Sequence, residues 1–150
     1  MPRCRNWNTD VIMKKTVFTI LLYFLSVLLF TAEAQSITNS SYKTIAYIKS
    51  DGTIQDASYR TVGHIYDDGK VTDSSYRTIA YIKSDGTVQD RSYRTMGYIK
   101  SDGTVQDRSY RTLGYVKSDG TVQDRSYRTF GHAKGIPTKW AALYFFFIGD

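Results

Sequence analysis

The chain predicts an all-β fold: five 17-residue β-hairpin repeats in a closed pseudo-symmetric ring, with an aromatic C-terminal segment packed on or in it. Three observations carry this expectation. Tyrosines recur at Tyr42, Tyr59, Tyr76, Tyr93, Tyr110 and Tyr127, each 17 residues after the last. Asp-Gly pairs keep the same step from Asp51-Gly52 to Asp119-Gly120, with no insertion to break the phase. The runs between them are rich in Tyr, Thr, Ile and Val, which suit strands, and Asp-Gly between two such runs signals a hairpin.

Ahead of the repeats the chain reads MKKTVFTILLYFLSVLLFTAEAQS from Met13. Two lysines, an apolar run from Val17 to Phe30 and Ala32-Glu33-Ala34 follow the order of a secretory signal peptide, with cleavage after Ala34. On this reading Met13 is the true start and the residues before it are an upstream extension. The alternative is an N-terminal membrane anchor, but 14 apolar residues fall short of the ~20 that a spanning helix needs. The organisation expected is therefore 1–34 as extension plus signal peptide, 35–133 as repeat domain, and 134–150 as an aromatic segment completing that domain. No stable membrane span is expected after cleavage. The location expected is outside the cytoplasm: periplasmic, cell-surface or secreted.

Residues 35–150 hold 16 Lys and Arg against 12 Asp, a net charge of +4, with no Glu; Cys4 lies upstream. Disulfides, common in small exported domains, therefore cannot hold this one. Arg and Asp alternate within every repeat, which describes a solvated face better than a polyanion groove, so nucleic acid is not an expected partner.

Register selects the turn. A two-residue Asp-Gly loop would set Ile99 opposite Gln106. A three-residue loop, Ser101-Asp102-Gly103 with the glycine left-handed, sets Ile99 opposite Val105, and only then do both aliphatics share one face. Parity predicts a second break. Val105 and Val116 are 11 positions apart and would face opposite ways on one continuous strand. Asp107-Arg108-Ser109 is the expected turn, because Asp and Ser side chains bond nearby backbone. Each unit then has a longer strand of the Tyr110 to Val116 type and a shorter one of the Thr121 to Gln123 type. The small residues at Ala46, Gly63, Ala80, Gly97, Gly114 and Gly131 mark points where backbones crowd.

One unit cannot bury enough surface alone, so near-identical copies must lean on one another. The array begins with a short strand lacking its partner (Ile37 to Tyr42) and ends with a long strand lacking its own (Tyr127 to Ala133). Such complementary halves predict ring closure. After Ala133 the repeat gives way to KGIPTKWAALYFFFIGD, whose apolar run Trp140 to Ile148 is too short to span a bilayer. It is expected to plug the ring or cover one face as a strand or short helix; the alternative is an exposed docking patch.

The units SYRTxGYIKSDGTVQD and the closing GIPTKWAALYFFF, together covering Ile37 to Ile148, resemble the five-fold beta-flower family of small exported bacterial repeat proteins. The resemblance implies five hairpins set like petals about an axis and brings no established activity. The chain departs from the pattern at HIYDDGKVTDS (His64 to Ser74) and at Ala46 and Ala80, where Gly is usual.

The chemistry expected is recognition, not catalysis. His64 and His132 occupy the repeat position of Tyr47, Tyr81, Tyr98 and Tyr115, which reads as variation at an aromatic site. Asp-Gly is turn chemistry; a calcium loop would need more carboxylates and a bidentate Glu. The serines and threonines belong to the repeat, and none is singled out with a base beside it. No catalytic, cofactor-binding or metal residues and no cofactor are assigned. The candidate ligand-binding residues are Tyr47, Tyr81, Tyr98 and Tyr115 with Arg77, Arg94 and Arg111, which could stack on sugars or pair with acidic groups. The competing expectation is that most of these tyrosines fill the inter-petal core and the arginines pair with Asp of the next unit. The function expected is a non-enzymatic exported binding module, with a glycan or envelope polymer as ligand. The alternative is a structural or protein-interaction element of the cell envelope.

Overall fold

A computed structural model describes Lys14, Lys15 and residues 35–149. Apart from the two lysines, the expected signal peptide and upstream extension lie outside the described residues. Ala34–Asp150 forms a compact unit by itself.

Strands alternate in length along the chain. The shorter ones are β1 (Ser36–Asn39), β3 (Thr53–Asp56), β5 (Lys70–Asp73), β7 (Thr87–Asp90), β9 (Thr104–Asp107) and β11 (Thr121–Asp124). Between them run β2 (Thr44–Ile48), β4 (Thr61–Ile65), β6 (Thr78–Ile82), β8 (Thr95–Ile99), β10 (Thr112–Val116) and β12 (Thr129–His132). Each pairs antiparallel with its sequence neighbours, and β12 pairs with β1 through Thr38↔His132 and Asn39↔Gly131. The barrel is therefore closed and has no free edge. Five continuous hairpins form petals, and the two chain ends assemble a further one, as their complementary halves predict.

The Asp-Gly corners follow the three-residue design. Ile99 faces Val105, Gly103 has φ 85°, and its N–H donates to Lys100 O at 3.0 Å. Glycine is required there twice over. A Cβ would be strained by the left-handed backbone and would run into the carbonyl of Val116 on the next petal. Val116 N–H in turn donates to Gly103 O at 2.9 Å, so each corner is tied to its neighbour.

The second break lies where parity places it, with one correction. Tyr110 is not the first residue of a long strand; it is the last residue of the corner. Asp107 N–H donates to Arg111 O at 2.9 Å and Tyr110 N–H to Asp107 O at 3.0 Å, the same pattern that Lys100 and Gly103 make. Tyr110 has φ 63°, and all six repeat tyrosines lie between 59° and 63°. The left-handed region disfavours a Cβ by ~1–2 kcal/mol, so the corner must compensate. Asp107 Oδ1 accepts from the N–H of Ser109 at 2.8 Å and of Arg111 at 3.0 Å, fixing the loop from inside. A register shift between Thr112 and Gly114 inserts Leu113 as a bulge and turns it toward the core side.

Inward Ile and Val residues make one core, including Ile48, Ile99, Val71, Val88, Val105 and Val122, each at most 2% exposed. Twelve strands enclose room for a helix, whereas an eight-stranded barrel is filled by its own side chains. That room is filled by α1 (Thr138–Leu143), whose Ala141, Ala142 and Leu143 are wholly buried within the same cluster. The tail thus plugs the ring as expected, as a helix. It continues as a π-helix over Tyr144–Ile148, all five residues half-buried.

The π-helix has a geometric reason. Phe145, Phe146 and Phe147 abut Gly131, Gly114 and Gly97, so consecutive side chains meet consecutive petals. An α-helix turns ~100° per residue, too fast for a ring in which each petal advances about one sixth of a turn. The wider π-turn rotates less, which brings the tail closer to that step without matching it. Gly63, flanked by Ala46 and Ala80, faces no such ring; its nearest neighbours are Thr72 O and Ile54 Cδ1. The two alanines that depart from the repeat therefore lie on the arc away from the three phenylalanines.

Candidate functional site: a cleft where the repeat is broken

The tyrosines expected to fill the inter-petal core lie on the outside. Four of the longer strands turn their tyrosine outward, where it meets the corner tyrosine 12 residues later. Tyr47 stacks on Tyr59 with centroids 4.6 Å apart, Tyr81 on Tyr93 at 4.8 Å, Tyr98 on Tyr110 at 4.6 Å and Tyr115 on Tyr127 at 4.8 Å. Tyr47 OH donates to Tyr59 OH at 3.0 Å. Hydrogen bonding to the partner phenol raises the pKa of Tyr47, Tyr93, Tyr98 and Tyr115. At the ring closure His132 takes the tyrosine's place and stacks on Tyr42 at 4.5 Å. The five stacked corner tyrosines stay 63–73% exposed because a stacked partner covers only one face.

Nor do the arginines reach the next unit. Arg77, Arg94 and Arg111 pair with Asp73, Asp90 and Asp107, four residues earlier across the same corner, at 2.8–2.9 Å. These pairs are exposed and hold corners more than petals. The structure thus separates the candidate residues: the tyrosines on the outer wall, the arginines at one rim.

The second petal breaks this order. His64 replaces the strand tyrosine, so Tyr76 has no phenol to stack on and is the most exposed corner tyrosine, at 80%. Thr72 replaces the glutamine that elsewhere, as in Gln89, donates from Nε2 to a corner carbonyl (Tyr93 O, 2.9 Å). Tyr66 stands where Lys49, Lys83, Lys100 and Lys117 stand in other petals. Its ring tilts against His64 at 4.5 Å and carries Lys70 Nζ 4.6 Å from its centroid.

Beside Tyr66 opens a cleft of about 780 Å³, lined by Tyr66, Asp67, Asp68, Tyr81, Asp85, Tyr93 and Trp140 among others. The tail completes it: Lys139 Nζ donates to Ser84 O at 2.7 Å, locking the start of α1 onto the third petal's corner. The Thr87 backbone N–H holds the Asp85 carboxyl below its usual range, aided by Lys83 and Lys139. Asp68 Oδ1 accepts from Lys70 N–H at 2.9 Å and Asp85 Oδ1 from Thr87 N–H at 2.8 Å. Four aromatic rings beside three carboxylates and the ammonium groups of Lys83 and Lys139 suit a neutral, hydroxyl-rich ligand: apolar faces to pack on, and both acceptors and donors for its hydroxyls. Among the described residues no three His, Cys, Asp or Glu are grouped to hold a metal ion.

Of the seven candidates, only Tyr81 lines this cleft. Tyr66, Asp67 and Trp140 were missed, although one signal was readable: HIYDDGK is the segment where the period is least faithful.

Residues 34–148 fit the family described as 5-fold beta-flower protein. No curated protein and no solved structure matches the chain.

Proposed function

From the premise that the chain belongs to the 5-fold beta-flower family, a small repeat fold, we propose that it is an exported, non-enzymatic binding module whose ligand is a glycan. The observation that carries this reading is the broken-symmetry cleft, where Tyr66, Tyr81, Tyr93 and Trp140 stand beside Asp67, Asp68 and Asp85. Asp68 and Asp85 are committed to their own corners by backbone hydrogen bonds, which favours holding a ligand over proton transfer. Tyr81 and Tyr93 are already braced against one another, so little order is lost on binding.

The test uses the compact unit 34–150, in which Trp140 is the single tryptophan. A glycan array, followed by titration of Trp140 fluorescence, should find a saccharide that perturbs the emission. Tyr66→Lys with Asp67→Ser restores the corner sequence of the other petals, and so should fold while weakening binding at least about tenfold. Folded protein that binds no glycan, or binding untouched by this variant, overturns the reading.

A further inference from the structure

The two rims of the barrel differ in charge and in apolar exposure. At the Asp-Gly rim seven lysines meet six aspartates, a net +1. The tyrosine-corner rim carries Lys43 and the eight arginines from Arg60 to Arg128, against five aspartates, a net +4. Five of those arginines are paired with the five aspartates. Arg91, Arg108 and Arg125 make no ion pair among the described residues and stand exposed on three consecutive corners. The other three corners carry Ser40, Ala57 and Ser74 at that position.

Those three corners border the aromatic side of the barrel mouth. The residues just inside are Met96, Leu113 and Phe130, with Phe145, Phe146 and Phe147 beyond them, all half-buried. Phe130 meets Phe145 and Phe146 edge-on at 5.5 and 5.6 Å. On the far side of the mouth Val62 is 43% and Ile79 38% exposed. An apolar centre of this kind is more than scattered surface hydrophobicity. A cationic rim around an apolar centre, with exposed tyrosines on the same end, is the arrangement that complements an anionic lipid surface.

We propose that the tyrosine-corner mouth docks on a bilayer containing anionic phospholipid, with Arg91, Arg108 and Arg125 against the headgroups and the phenylalanine cluster at the acyl boundary. The barrel then stands on the membrane with its Asp-Gly rim facing away and the cleft on the outer wall, running from that rim to Tyr93. This inference is independent of what the cleft binds.

The experiment is sedimentation of the 34–150 unit with vesicles of phosphatidylcholine and phosphatidylglycerol in equal parts, and with phosphatidylcholine alone. Binding is expected on the anionic vesicles, weakening as salt rises. The triple variant Arg91→Ser, Arg108→Ser, Arg125→Ser takes the residue of corners that already fold. It should lose at least about tenfold in partition, up to roughly a hundredfold for three basic side chains. The opposite-rim variant Lys49→Ser, Lys117→Ser, Lys134→Ser should bind as the parent does. Separately, Leu113→Trp emission should shift to the blue on anionic vesicles while Trp140 in the parent does not. Folded protein that ignores anionic vesicles, equal losses from both rims, or an unshifted Leu113→Trp signal would each overturn the proposal.

Discussion

The ring of Phe146 and the carbonyl oxygen of Gln123 together occupy the space that a side chain at Gly114 would need: a Cβ built there runs into the Gln123 oxygen and lies 2.7 Å from Phe146 Cζ. The glycine of the repeat and the aromatics of the tail are thus halves of one contact. Gly114→Ala should destabilise the fold by ~1–3 kcal/mol, the range for overpacking a filled core. Phe146 also meets the ring of Phe130 edge-on at 5.6 Å, which limits how far it can withdraw. Ala80→Gly, on the arc away from the phenylalanines, should cost less, about 1 kcal/mol. Urea denaturation of the two variants, compared at equal slope, checks the difference.

Tyr110 carries two opposed contributions, a strained backbone at φ 63° and a ring stacked on Tyr98. Substitution can separate them. Tyr110→Ala keeps the strain and loses the stack, whereas Tyr110→Gly loses both. Glycine should therefore be the milder replacement by ~1 kcal/mol, reversing the usual order for a residue flanking a strand. Thermal unfolding of the pair decides it; alanine equal to or better than glycine would refute the account of the corner.

The hairpin register was legible because it depends on short-range parity: only one loop length puts Ile99 and Val105 on the same face. Ring closure was legible too, since the half-units at Ile37 and Phe130 need one another. The tyrosine corner was not, because Tyr favours strands by local preference. What holds Tyr110 left-handed is the Asp107 carboxylate together with a ring 12 residues away. Yet Asp-Arg-Ser-Tyr-Arg fits the same five-residue frame as Lys-Ser-Asp-Gly-Thr, with Tyr in the glycine's place, and that parallel was available. The cleft was hidden for a different reason. Trp140 and Lys139 reach Ser84 and Tyr66 across more than 50 positions, and no periodicity encodes such a meeting.

At the same corners the side chain at Asp107 works chiefly through Oδ1, which an amide supplies equally well. Asn39 shows this within the chain: its Oδ1 accepts from the N–H of Ser41 and of Lys43, both at 3.0 Å. Asp107→Asn should therefore leave the melting temperature within a degree or two, since it gives up only an exposed ion pair. Asp107→Ala removes the acceptor as well and should lower the melting temperature by roughly 5 °C. Calorimetry on the two proteins distinguishes a corner held by hydrogen bonds from one held by charge.

Acid should expose the same carboxylates collectively. Nine of them, five at the tyrosine corners and Asp51, Asp85, Asp102 and Asp119 at the glycine corners, are held below the usual aspartate range. At Asp107 the main cause is the Arg111 backbone N–H, and at Asp102 it is that of Thr104. A folded-state pKa below the unfolded value means that the native protein binds fewer protons. The stabilisation is complete above the unfolded aspartate value near ~3.9 and is lost as pH falls through the folded values. Melting temperature should therefore hold level from about pH 7 down to about 5, then fall steeply below about 4. Replacing Asp107 and Asp124 together by Asn should make that acid limb shallower, because the plateau drops by the few degrees those two carboxylates supply while the acid end stays where it was. A melting temperature that is flat down to pH ~2, or an acid limb unchanged in the double variant, would show that the corners are not where the protons bind.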